Sequence, residues 1–351
     1  MPFNYEYARH IRAGFIGCGK HAFQSILPSF QYAPVELVAV CDLIEERARF
    51  CARQFGALRW YTDYAAMLAQ EELDAVFVVL NHDSLGRPQY APVAIDVLRA
   101  GFHVWIEKPP ASTLAEIEEM QVARDRAQRF AQVGFKKPFY PAIQHAKKLM
   151  AQPEFGQPTS AYVHYAVNLP PVEGRPHSRE MMRFLQIGCH PLSILQYLLG
   201  SPKTLYFADE ARQGSSLGVF TFANGSIGCL HQAAGKGENA PWDRVEVNGE
   251  GASLIVENGI DLTHFPPGAP RSRESFVSDD ATAPRRWLPD FSHGRLANKG
   301  LFLLGYAPEI IAFAESVLNN TPPTTATLED AHDVIRMYLG YTQTAGQVIV
   351  L

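Results

Sequence analysis

No apolar run in this chain of 351 residues approaches the roughly 18 residues that a membrane-spanning helix requires. The opening segment, MPFNYEYARHIRA, lacks the apolar stretch of a secretory leader, so none is expected. An excess of one charge is missing too. The 31 Lys and Arg stand against 36 Asp and Glu, a formal charge of −5, which gives no support for binding nucleic acid or an anionic membrane. Cysteine is sparse and unpatterned. Cys18, Cys41, Cys51, Cys189 and Cys229 form no C-x-x-C pair and no zinc spacing with histidine, so no metal site is expected. Free thiols in a reducing cytoplasm are the simplest expectation. Repeats and low-complexity stretches are absent. The length allows two domains, each with a sizeable core.

What the chain does have is the run GFIGCGKHA, residues 14–22. An apolar stretch, Ala13 to Ile16, precedes its glycines, and a helix expected over His21 to Tyr32 follows. A second apolar strand, Leu37 to Cys41, ends on Asp42. Strand, glycine turn, helix, strand and acid is the order of a dinucleotide-binding βαβ unit. Gly17 makes the tight turn, Gly19 admits a pyrophosphate, and small Ala22 lets helix and strand pack closely. Lys20 and His21 fall at the helix N-terminus, where free N–H groups and the dipole favour an anion. Asp42 can accept both ribose hydroxyls and would repel a 2′-phosphate, which favours NAD over NADP. Neutral Leu43 and Ile44 leave room for either.

The first part of the chain alternates strands and helices. Ala75 to Leu80 is a continuous apolar run, as in a parallel strand covered on both faces. A helix from Tyr90 to Ala100, a strand at His103 to Ile106, a helix opened by the Thr113–Glu116 capping box and a strand within Phe130 to Phe135 complete the set. This predicts a doubly wound parallel sheet, a Rossmann domain over residues 1–137. After a helix at Pro141 to Met150 the pattern changes to alternating strands at 161–167, 217–222, 227–232, 244–247 and 253–256. Asn224-Gly225 signals a hairpin, with both residues suited to positive φ. Residues 138–351 are expected to form an α+β substrate and oligomerisation domain around a large, mainly antiparallel open sheet. Residues 265–298 read as a long loop, and two helices close the chain, at Pro308 to Asn319 and from the Thr327 cap onward.

Two places carry chemistry. Glu107-Lys108-Pro109 ends a parallel strand, at the edge where open α/β sheets bind ligands. A lysine there, beside a cationic nicotinamide, could polarise a substrate hydroxyl or exchange its proton. A surface lysine in a strand-end turn is the plainer alternative. His190 precedes Pro191, which suits a first helical position, so His190 is expected at a helix N-terminus. The dipole there would keep its imidazole neutral, a base for an alcohol proton. A histidine that merely satisfies a backbone group is the alternative.

With GFIGCGKHA, the acid after the second strand, AGFHVWIEKP, the run Gly134-Phe135-Lys136-Lys137, the G-x-H at 188–190 and the closing helix pair, the chain resembles the Gfo/Idh/MocA oxidoreductases over nearly its whole length. The resemblance implies hydride transfer between NAD and a sugar-like substrate. It makes Lys108 and His190 the catalytic pair, adds Lys136 and Gln186 to the substrate site, and allows a cis bond before Pro109. It also implies a homodimer or homotetramer formed through the second sheet. Gln186 and Ser193 stand where the family pattern has aspartates, which argues against a free inositol as substrate. The family turn after the fourth strand is altered to Leu80-Asn81-His82-Asp83, with Asn81, His82 and Glu107 expected near the cofactor and residues 83–88 as a changed loop. Arg175 and His177, with Arg183, flank a Pro-rich loop and could hold a carboxylate or phosphate. His231, Lys236 and Trp242 are further polar candidates. Two other functions fit the same motifs: a reaction without net redox on retained NAD, or a non-catalytic dinucleotide sensor.

Overall fold

The structure, a computed structural model, describes residues 3–175, 178–235, 243–268, 282–291 and 298–351. It divides into two compact units, Met1–Lys136 with Gly305–Ile335, and Lys137–Leu304 with Arg336–Leu351.

The first unit is built on six parallel strands. These are β1 (Ile11–Ile16), β2 (Val35–Cys41), β3 (Arg59–Tyr61), β4 (Ala75–Val78), β5 (His103–Ile106) and β6 (Ala131–Val133). Their spatial order is β3-β2-β1-β4-β5-β6, so the winding direction reverses between β1 and β4. Ligands bind outside the carboxyl ends of strands at such a reversal. The helices between them are α1 (residues 22–32), α2 (Glu45–Phe55), α3 (Tyr64–Gln70), α4 (Tyr90–Arg99) and α5 (Leu114–Ala127).

Helix α1 has the expected extent but not a uniform pitch. A π-type turn (Ala22–Ile26) leads through Leu27–Ser29 to a 3-10 turn (Phe30–Tyr32). Pro28 lies inside it and has no N–H to give to a preceding carbonyl, which accounts for the irregular ladder. Helix α5 begins on the expected capping box: Thr113 Oγ1 accepts from Glu116 N at 3.3 Å, and the Glu116 carboxylate accepts from Thr113 N at 3.0 Å.

Aromatic rings run through the unit's aliphatic core. Phe15, Phe30, Phe77 and Trp105 pack with Phe313 of a late helix, α9 (Tyr306–Leu318). The Phe77 ring meets Phe313 edge-on at 5.4 Å and Trp105 at 5.9 Å. Residues 305–335 thus pack with the first unit although they follow the second sheet in sequence.

The second unit holds a nine-stranded sheet. Its strands are β7 (Pro158–Tyr165), β8 (Pro202–Asp209), β9 (Ser216–Phe222), β10 (Ile227–Gln232), β11 (Asp243–Gly249), β12 (Ser253–Glu257), β13 (Asp261–Phe265), β14 (Arg285–Trp287) and β15 (Val348–Val350). Among the described residues, every pairing is antiparallel except β7 with β10. Helices α6 (Pro141–Met150) and α7 (Arg179–Leu199) pack on it, with contacts from α6 to β12 and from α7 to β7. The α8 turn (Lys299–Leu303) and α10 (Leu328–Gly340) complete the chain.

Two expectations need correction. The β9–β10 hairpin forms, but only Gly225 takes a positive φ, 86°. The loop has four residues, closed by Phe222 N to Ser226 O at 3.0 Å, and Asn224 contributes its side-chain oxygen to Ser226 N at 3.0 Å. The stretch expected as loop at 265–298 contains β14, which pairs with β13. Residues 269–281 and 292–297 of it lie outside the described residues. No helix among the described residues is long and apolar enough to cross a membrane.

Candidate active site

The glycine turn leaves β1 at its carboxyl end. Gly17 adopts φ 98°, and a Cβ there would lie 1.9 Å from the Val79 carbonyl oxygen, so only glycine fits. Gly19 is the opposite case. A Cβ on it would meet nothing within 4 Å, so its outer side is open to an incoming group. Helix α1 starts directly behind it, with Phe23 N donating to Gly19 O at 3.1 Å. The amides just before that bond have no intrahelical partner, which is the condition for binding an anion. Asp42 closes the turn from the end of β2: Oδ2 accepts from Cys18 N at 2.8 Å and Oδ1 from Ile44 N at 2.9 Å. Each oxygen keeps a lone pair for another donor. Buried Ala22 packs beneath, and Lys20 is exposed. These residues fit a dinucleotide.

The ends of β4 and β5 supply the next group. Glu107 is buried, its Oε1 pairs with His21 Nε2 at 2.7 Å, and its Oε2 accepts from Lys108 N at 2.6 Å. Burial opposes its charge, but the His21 hydrogen bond, the charges of His21 and Lys108 and the Lys108 amide outweigh that and hold the carboxyl below its usual range. Lys108 is half-buried, and the Lys108–Pro109 bond is cis. Asn81 is exposed. Beside it His82 is half-buried, and burial first, then the Lys108 charge, lower its pKa, so it is neutral near pH 7. The altered loop is a closed turn, in which Asp83 accepts from Leu85 N at 2.9 Å and from Arg87 N at 2.8 Å.

Lys136 follows β6 on the same edge. Its Nζ donates to Tyr306 Oη at 2.6 Å and lies 4.0 Å from the Tyr306 ring centre. Burial lowers its pKa to about 8, with the charges of Glu309 and Glu107 acting in the opposite sense and that of Lys108 in the same one. Burial, then the Glu107 charge, raise the Tyr306 phenol to about 12. Glu309, one turn further along α9, is fully buried, and neither carboxyl oxygen has a hydrogen-bond partner. Burial drives its pKa well upward, which disfavours its charged form. The sequence reading did not single out Tyr306 or Glu309, because no local signal ties them to Lys136, 170 residues before Tyr306.

The second unit holds the remaining candidates. His190 is buried within α7 rather than at its start, which corrects the expected N-terminal position. The helix is capped twelve residues earlier, by Ser178 accepting from Met181 N at 3.1 Å, and runs through Pro191. A buried apolar face that includes Met181, Phe184, Leu185, Leu192 and Leu195 carries it past the missing proline hydrogen bond. The dipole argument for a neutral imidazole therefore does not apply to His190. Its ring centre is 6.5 Å from that of Tyr165. Gln186 is one turn earlier on the same helical face, half-buried, and Ser193 Oγ bonds the His190 carbonyl at 2.8 Å.

Arg175 also needs correction. It is 1% exposed, pairs with Asp209 and donates to Pro170 O at 2.9 Å, so it ties its loop to β8 and is not presented to a ligand. Arg183 is exposed. His231 sits on β10 with Nδ1 3.0 Å from the Tyr162 hydroxyl. His177, Lys236 and Trp242 lie outside the described residues.

Residues 11–135 match the oxidoreductase family described as having an NAD-binding Rossmann fold, and residues 143–255 match the GFO/IDH/MocA C-terminal domain. D-apiose dehydrogenase from Paraburkholderia graminis is 27% identical over 257 residues, covering 70% of this chain and 67% of that protein. Inositol 2-dehydrogenase from Salmonella typhimurium is 24% identical over 193 residues, and the chain spans about half of its length, 54%. Levoglucosan dehydrogenase, solved with NADH and levoglucosan, has the same fold, with a TM-score of 0.77 at 18% identity over 97% of this chain and 99% of that one.

Proposed function

The chain belongs to the GFO/IDH/MocA family of NAD-binding oxidoreductases, and we propose that it is a dehydrogenase moving hydride between NAD and a secondary alcohol or carbonyl carbon of a sugar, polyol or sugar-derived compound. One observation carries the reading. The open glycine turn with Asp42 and the lysine of Glu107-Lys108-Pro109 occupy one carboxyl edge of one sheet. Dehydrogenases of sugars and inositol among the relatives support the substrate class.

When bound, NAD accepts or returns the hydride. Everything else falls to the chain. Gly17, Gly19 and the start of α1 would hold the pyrophosphate. Asp42 would take the ribose hydroxyls and disfavour NADP. Lys108 is assigned to polarise the reacting oxygen, and the His190 imidazole to take or give its proton. Gln186 would hydrogen-bond substrate without adding charge. Tyr206, Leu217, Val219 and Ile227, exposed on the second sheet, support self-association through that face.

Calorimetry with NAD and NADP, followed by turnover on sugars and polyols, tests the reading. Exchangeable NAD binding selective over NADP is expected. Lys108→Ala and His190→Ala should each lower turnover at least about 100-fold while NAD still binds. Full activity in either variant removes that residue's assigned role. Co-purified NAD that does not exchange would favour chemistry without net redox.

A further inference from the structure

Lys136 is a cation in search of a counter-charge. It follows β6, the sheet neighbour of β5, which leads into Lys108. Its ammonium is largely withdrawn from water, yet its hydrogen-bond partner is a neutral phenol. A lysine has three N–H donors, and the Tyr306 oxygen takes one. No carboxylate among the groups around the pair bonds the ammonium. On the β5 side are Lys108, a second cation, and Glu107, whose two oxygens already bond His21 and the Lys108 amide. On the α9 side is Glu309, whose charged form burial disfavours and neither of whose carboxyl oxygens has a hydrogen-bond partner. From α1, the His21 ring meets the Tyr306 ring at 5.7 Å. A half-buried ammonium without a carboxylate partner is costly, and an anion entering beside it removes that cost.

We propose that the substrate is anionic, a polyol or sugar bearing a carboxylate or phosphate, and that Lys136 receives that group. The inference rests on the dehydrogenase reading and names the substrate class within it. Lys136 is then a specificity residue, which fixes the anionic end while the reacting carbon lies toward Lys108. It also has a pH signature with a definite sign. A bound anion favours the ammonium form, so binding takes up a proton near and above pH 8. Affinity falls as the pH rises through that value, by about tenfold per unit well above it.

The test is calorimetry on NAD-loaded protein with three probes of matched skeleton: glucitol, gluconate and glucitol 6-phosphate. At least one anion should bind about tenfold or more tightly than glucitol. Which anion does so distinguishes carboxylate from phosphate. In buffers of different ionisation heat, proton uptake should appear at pH 8.5. Lys136→Met should abolish both the preference and the uptake while retaining NAD affinity. Lys136→Arg should keep the preference but lose its decline above pH 8. Equal affinity for glucitol and both anions, or a preference intact in Lys136→Met, overturns the inference and leaves the dehydrogenase reading standing. Failure of NAD to bind overturns both.

Discussion

Gly17 and Gly19 share a turn but answer to different constraints, and substitution separates them. Gly17→Ala would drive a methyl into the Val79 carbonyl at a left-handed φ. It should cost roughly 4 kcal/mol or more of stability, read by urea unfolding. Gly19→Ala meets no neighbour. Its stability should stay within about 1 kcal/mol of the parent, while NAD affinity drops at least about tenfold because the methyl fills the space for the pyrophosphate. Unchanged NAD binding in Gly19→Ala would remove the turn from the cofactor site. Both glycines were legible in the sequence because their role is local: strand, turn and helix lie within a few residues. The setting of His190 was not. Pro191 reads as a helix start, and only the burial of residues on both sides of it shows that α7 runs through. Arg175 misled in the same way, since the Asp209 that engages it lies 34 residues onward.

At the scale of elements, α9 (Tyr306–Leu318) closes the core of a sheet whose last strand ends at Val133. Phe313→Ala should destabilise the protein by about 3–5 kcal/mol, because its ring fills the space against Phe77. Loss of the Thr113 cap of α5 should cost only about 1 kcal/mol. Equal effects in denaturant titrations would contradict the packing described. Many periodic elements were readable from pattern alone: α6 has the expected bounds, and β1, β2, β4 to β7 and β9 to β12 fall where apolar runs or alternation placed them. The three-residue strands β3, β14 and β15 were not, since so few residues establish no period, and β8 and β13 were missed as well. Nor was the parallel pairing of β7 with β10, which depends on which strand fills the centre of the sheet.

The whole molecule should lose stability in acid earlier than carboxylates alone would dictate. Burial, then the charge of Arg129, lower the His103 pKa from 6.5 to about 4, and neutral Nδ1 accepts from Phe130 N at 2.8 Å. A group with a depressed folded pKa stabilises fully above its unfolded value and ceases to do so as pH falls through the folded one. The His103 contribution is therefore complete above about pH 6.5 and gone below about 4. Glu71, held below its usual range chiefly by the Arg59 hydrogen bond, adds a second loss at lower pH. Urea midpoints should decline from pH 6.5 downward. His103→Asn, which can still accept from Phe130 N without titrating, should flatten the first part of that decline, and an unaltered slope would exclude His103 as its source. The late position of α9 also sets an order of events during synthesis. Ile310 and Phe313 belong to the same buried cluster as Phe15 and Phe77. On a ribosome the nucleotide-binding sheet is made first, yet the residues that cover it emerge last, after the entire second sheet except its final strand. The first unit must therefore wait, with an apolar face uncovered, until nearly the whole polypeptide has been translated, and a chain halted before residue 305 would be a ready client for chaperones.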